Sequence, residues 1–176
     1  MPDDHLEQLI PLWGKRLKRL IILLACTVPF ALLLALRLGA FVAVLHLPDN
    51  IRIDAHALSA SDWITIALLG AIQPLAFLPI LWCLYRLFSA YEKGVVFSLR
   101  NTQLIKYCGV WLIAVDAARL LQGVLIGPVL SHAGITQPFI SIQLGLSYSI
   151  IGLFIYLVSK IMGLAQAMKE ERDLTI

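Results

Sequence analysis

The chain is 176 residues long, 60% hydrophobic and only 14% charged, with a formal net charge of +3 and a mean hydropathy of +0.85. Soluble domains are roughly half apolar and about one-quarter charged, so a water-soluble fold of this size is excluded and lipid must be the solvent. The three cysteines, Cys26, Cys83 and Cys108, have no CxxC spacing and no histidine nearby, which argues against a disulfide framework or a structural zinc site.

In chain order, DDHLEQLIPLWGKRLKR opens with Asp4 and Glu7 at capping-box spacing, and Leu6, Leu9, Ile10, Trp13 and Leu17 recur at helical intervals. Trp13 beside a basic face suits the headgroup zone, so a short N-terminal interfacial helix is expected, interrupted at Pro11. The alternative is a frayed basic flank that only sets topology. Four apolar runs follow, at about residues 20–45, 63–88, 107–127 and 139–162, each long enough for about 30 Å of hydrocarbon. The expected fold is therefore all-α, an integral membrane four-helix bundle forming a single domain over residues 1–176. The first run is too long for the apolar core of a signal peptide, so an uncleaved span is expected.

Between the first two runs, IRIDAHAL alternates as a short extended segment would, placing Arg52, Asp54 and His56 on one face. Asp-x-His raises a metal site completed by His46 and His132, but a solvated loop face explains the same spacing; no metal and no cofactor is expected. Ser59 and Asp62 have capping-box spacing for the second helix, in which Pro74 and Pro79 should introduce kinks. Gly94 permits a turn after it, and Ser98 is placed to cap the third helix. Gly145, Ser149 and Gly152 give the fourth run a small-residue stripe suited to close helix contact.

Basic residues set the orientation. Lys15, Arg16, Lys18 and Arg19 precede the first run, Arg86, Lys93, Arg100 and Lys106 flank the middle connection, and Lys160, Lys169 and Arg172 close the chain. The outer connections hold Arg52 alone. The positive-inside rule then places both termini and the middle connection in the cytoplasm of a bacterial inner membrane.

Polar groups interrupt the apolar runs at one depth. In LIAVDAARLLQG, Asp116 and Arg119 share a helix face that Gln122 continues. Arg37, Gln73 and Gln143 fall at a similar level, about 12 Å below the outer boundary. A charge at mid-bilayer costs about 2.5–3.5 kcal/mol, so these groups should face one another. Three readings stay open: Arg37 snorkels outward, the cluster is a hydrogen-bonded staple, or it lines an outward pocket for an anionic ligand or lipid head formed by Arg37, Gln73, Asp116, Arg119, Gln122 and Gln143. No nucleophile with a base, paired aspartates or metal-ligand spacing is found, so no catalytic residue is assigned and an enzyme is not expected.

YRLFSAYEKGVVFSLRNTQLIKYCGVWLI, with Leu84, Leu87, Phe88, Tyr91, Gly94, Phe97, Ser98, Asn101 and Leu104 in register, resembles a run joining spans two and three in a bacterial four-span family. That family is the YoaS-like group, a domain of unknown function. The ending MKEERDLTI, with Glu170, Glu171, Leu174, Thr175 and Ile176, resembles its acidic tail, although Arg172 departs from the small polar residue usual there. The resemblance implies a possible cytoplasmic partner, a small helix-turn-helix regulator. Tyr91, Gly94, Phe97, Ser98 and Asn101 are then either a structural elbow or a docking face. The expected function is a non-enzymatic regulatory or accessory subunit acting through protein contacts, in contact with membrane lipids and without direct nucleic-acid binding. The alternatives are the anionic-ligand or lipid-binding protein with an outward pocket and an immunity protein against a membrane-targeting toxin.

Overall fold

A computed structural model describes residues 3–38, 59–96, 98–134, 136–137, 139–140 and 145–174; the side chains of 3–10, 35–38, 169–170 and 173–174 are outside the description. Four helices carry these residues: α1 (Asp3–Leu38), α2 (Ala60–Glu92), α3 (Leu99–His132) and α4 (Ser147–Leu174), with no strand among the described residues. Each contains a segment long and apolar enough to cross a membrane. The all-α membrane architecture expected from the hydropathy is thus observed. The extended segment with Arg52, Asp54 and His56, together with His46, lies outside the described residues.

Two element boundaries differ from the expectation, and both have local causes. The N-terminal segment is not a separate interfacial helix, because α1 is continuous for 36 residues through Pro11 and Pro29. An interior proline costs a helix about 3 kcal/mol, but contacts with α2 hold the chain beyond Pro11. Lys18 Nζ pairs with Glu92 Oε2 at 2.9 Å, and Gly14 lies so close to the Glu92 backbone that a Cβ there would come within 2.8 Å of its nitrogen. The fourth helix begins at Ser147 and not near residue 139, because Asp116 of α3 accepts hydrogen bonds from its first turn, as described below.

The helices pack as an antiparallel row in which α1 meets α2, α2 meets α3 and α3 meets α4; no other helix pair touches among the described residues. Ile66 and Leu69 of α2 meet Ile126 and Leu130 of α3 in the best-buried apolar cluster, flanked by Ile72, Val129 and Phe139. Towards the other end of the same interface the buried thiols of Cys83 and Cys108 hydrogen bond to each other, and both are free of disulfides. Between α3 and α4 the backbones approach through glycine: a Cβ on Gly109 would lie 2.6 Å from the Gly152 carbonyl oxygen, and one on Gly152 would lie 2.5 Å from that of Gly109. In lipid, where apolar surface gains nothing by leaving the solvent, such close approach supplies the dispersion energy that holds helices together.

Gly152→Leu should therefore force α3 and α4 apart and cost about 1–3 kcal/mol by overpacking. Gly163→Ala is the control, since its Cβ would meet only Thr102 Cγ2, at 3.7 Å. Thermal unfolding in mild detergent should show a lowered midpoint for the first variant and an unchanged one for the second.

Candidate functional site

Asp116 is 3% exposed on α3, and its carboxylate is aimed at the start of α4. Its Oδ2 accepts from the backbone N–H of Ser149 and from the Ser149 hydroxyl, both at 2.7 Å. The first four N–H groups of a helix have no partner within it, and the aligned peptide dipoles make that end electropositive. Asp116 therefore caps α4 from a neighbouring helix. In water such a cap is a convenience, but in hydrocarbon an unpaired N–H has no alternative partner. Its second oxygen, Oδ1, is buried and without a hydrogen-bond partner.

The remaining residues of the expected cluster are distributed along the row. Arg119, half-buried one turn from Asp116, packs its guanidinium against Gly145, where a Cβ would come within 2.7 Å of Nη1. Gln122 is 4% exposed on α3, with its amide nitrogen unpartnered. Gln73 is half-buried on α2. Arg37 belongs to α1, which touches α2 alone, and its side chain lies outside the described residues, as does all of Gln143. The structure thus brings Asp116, Ser149, Arg119 and Gly145 together at the α3–α4 interface. Ser149 is the partner that sequence reading assigned only to a small-residue stripe; the available signal was an aspartate at mid-span and a serine at similar depth on the next helix.

The α2–α3 connection is a second ordered polar region. Gly94 has φ +75°, the left-handed conformation that favours glycine, and it closes α2 with a Schellman pattern: Gly94 N–H donates to the Tyr91 carbonyl and Val95 N–H to that of Ala90. Ser98 caps α3 by accepting from the Asn101 N–H at 3.2 Å. Asn101 is 1% exposed, and its amide nitrogen donates to the carbonyls of Val95 at 2.8 Å and Val96 at 3.0 Å. Tyr91 is half-buried with its ring edge-on to Phe88, and Phe97 lies outside the described residues. Asn101 and Ser98 thus fold inward to build an elbow. The outward side chains of this connection are those of Lys93, Val95, Leu99 and Arg100.

What these elements define is a membrane protein of four helices, stapled by a buried carboxylate and turned by a glycine–asparagine elbow. The family model described as "Protein of unknown function (DUF2975)" matches residues 20–176, and the chain belongs to that family. No curated protein and no solved structure matches it.

Asp116→Ala removes both hydrogen bonds to Ser149, whereas Ser149→Ala removes only the hydroxyl one. Interhelical hydrogen bonds in membranes contribute about 0.6 kcal/mol on average and up to about 1.7. Asp116→Ala should be the more destabilising, and a double-mutant cycle by reversible unfolding in mixed micelles should give a coupling of about 1 kcal/mol. Asn101→Ala leaves two carbonyls of the elbow without donors, and should cost about 1–3 kcal/mol in the same measurement.

Proposed function

We propose that the protein is a non-enzymatic regulatory or accessory subunit of the bacterial inner membrane, of the YoaS-like group, with both termini in the cytoplasm. The observation that carries this reading is the use made of the one buried carboxylate of α3. Its Oδ2 is committed to the first turn of α4, a structural task, and no nucleophile or second acid faces it among the described residues. A catalytic acid or a proton relay needs a group free to exchange its partner during turnover.

The orientation is supported by the way antiparallel packing collects the cations. Lys15, Lys18 and Arg19 of α1 lie at the same end of the row as Arg86 and the elbow, an arrangement joined by the Lys18–Glu92 pair. The positive-inside rule assigns that end to the cytoplasm. A small helix-turn-helix regulator is the protein partner to which the family resemblance points. The reading of an outward anion pocket has less support, because Gly145 covers Arg119 on the face turned to α4.

Reporter fusions test the topology: a fluorescent reporter should be active, and a periplasmic phosphatase silent, at both chain ends. Photo-crosslinking residues at Gln103 or Ala167, both exposed near the proposed cytoplasmic end, should yield adducts with another protein in intact cells. Adducts with lipid alone at both positions would refute the subunit role.

A further inference from the structure

At the elbow, the ends of α2 and α3 enclose a cavity of about 410 Å³ whose walls include Arg86, Lys93, Arg100, Asn101, Trp82 and Tyr85. No carboxylate lines it. Glu92, the acidic residue nearest in sequence, is ion-paired to Lys18 of α1. Three cations therefore border one space with nothing inside it to offset their repulsion. Arg86 is held at the wall by the Trp82 ring, with its guanidinium carbon 5.1 Å from the ring centroid.

Asn101 adds an independent indication. Its amide nitrogen is saturated by the Val95 and Val96 carbonyls, which fixes the orientation of the amide group. The oxygen, Oδ1, is buried and without a hydrogen-bond partner. A buried acceptor left unpaired costs about 1–3 kcal/mol, so a complementary ligand must bring a donor as well as negative charge.

A second space adjoins the first. Between α1 and α2 a groove of about 860 Å³ is lined by apolar side chains, among them Ile22, Ala25, Pro29, Leu75, Leu78 and Pro79. It shares Trp82 and Tyr85 with the basic cavity, so this stacked aromatic pair, with centroids 6.0 Å apart, is a common wall. Along α2 the groove and the cavity follow one helical stripe, from Leu75 and Leu78 through Trp82 to Arg86, Ser89 and Lys93. Charge at one end and an apolar slot at the other match a molecule with an anionic head and a long apolar tail.

We infer that the two spaces form one binding site for an anionic glycerophospholipid with a hydroxylated headgroup. Its phosphodiester sits among Arg86, Lys93 and Arg100, a headgroup hydroxyl donates to Asn101 Oδ1, and an acyl chain occupies the α1–α2 groove. A choline or ethanolamine head fits less well, because its ammonium group would face the same three cations. The site requires only that the elbow lie at a membrane–water boundary. It depends neither on which side that is nor on the subunit role proposed above.

The test is native mass spectrometry of the full-length protein titrated with phosphatidylglycerol, phosphatidylethanolamine and phosphatidylcholine of identical chains. Phosphatidylglycerol should form a one-to-one complex at least about tenfold tighter than phosphatidylcholine, on the scale expected for several interfacial basic groups. The triple variant Arg86→Gln, Lys93→Gln, Arg100→Gln should lose that preference. A control with the same charge change, Lys15→Gln, Arg16→Gln, Arg19→Gln, should retain it. Lys93→Gln alone, at an exposed position, should weaken binding several-fold without altering thermal stability, and Ala25→Trp should weaken it by filling the groove. Equal affinity for the three lipids, or an equal loss in both triple variants, would overturn the assignment. So would displacement of the lipid by equimolar inorganic phosphate, which would reveal a site for a soluble anion.

Discussion

Within the bilayer the first turn of α4 must find its acceptors in the protein, and Asp116 provides them. That requirement fixes where the helix starts and how it registers against α3. With Ser149 held at Asp116, antiparallel descent brings Gly152 onto Gly109 and then Gln166 onto Thr102, whose hydroxyl lies 3.2 Å from the Gln166 amide oxygen. Polar contact, backbone contact and polar contact thus follow one another along about 21 Å of interface. None is strong alone, since interhelical hydrogen bonds in lipid contribute little and dispersion falls off steeply with distance. Their effect lies in agreeing on one register.

The other end of α3 is fixed by different means. Gly94 ends α2 in a conformation that a side chain would resist, Ser98 caps α3, and Asn101 reaches back to the carbonyls between them. Six residues thus turn the chain while leaving few backbone groups of the turn unpaired. This economy also has a consequence for charge. Because Asn101 occupies the inside of the turn, Lys93 and Arg100 are placed at its rim, where they join Arg86 around an open space. The elbow is at once a structural device and the reason that three cations converge.

Much of this was readable in the sequence where the cause is local. Ser59 and Ser98 were recognisable as caps because capping depends on residues three positions apart, and Gly94 as a turn because few other residues accept its φ. The number of spans followed from hydropathy averaged over about 20 residues. What escaped was set by partners distant in sequence. The start of α4 was misplaced by about eight residues because hydropathy does not register a cap supplied from 33 residues away. The break expected at Pro11 ignored Lys18, whose partner Glu92 is 74 residues distant. Asn101 looked like a residue for display, and its burial depends on carbonyls whose position the turn itself determines.

The same distinction separates the two polar regions as places where chemistry can occur. An intramembrane Asp and Arg draw attention first in the sequence because charges there are costly. Costly groups, however, are under the strongest pressure to be consumed by the fold, and Asp116 shows how: a helix N-terminus supplies its donors and close-packed glycines seal the interface beside it. At the elbow, cations are inexpensive because headgroups and water are near, so nothing forces them to pair internally. Arg86, Lys93 and Arg100 therefore remain available to a ligand, while the buried oxygen of Asn101 adds a directional demand that bulk headgroups meet only by entering the cavity. Recognition is thus favoured where charge is tolerated yet geometrically confined, and structural stapling where charge is too costly to leave exposed.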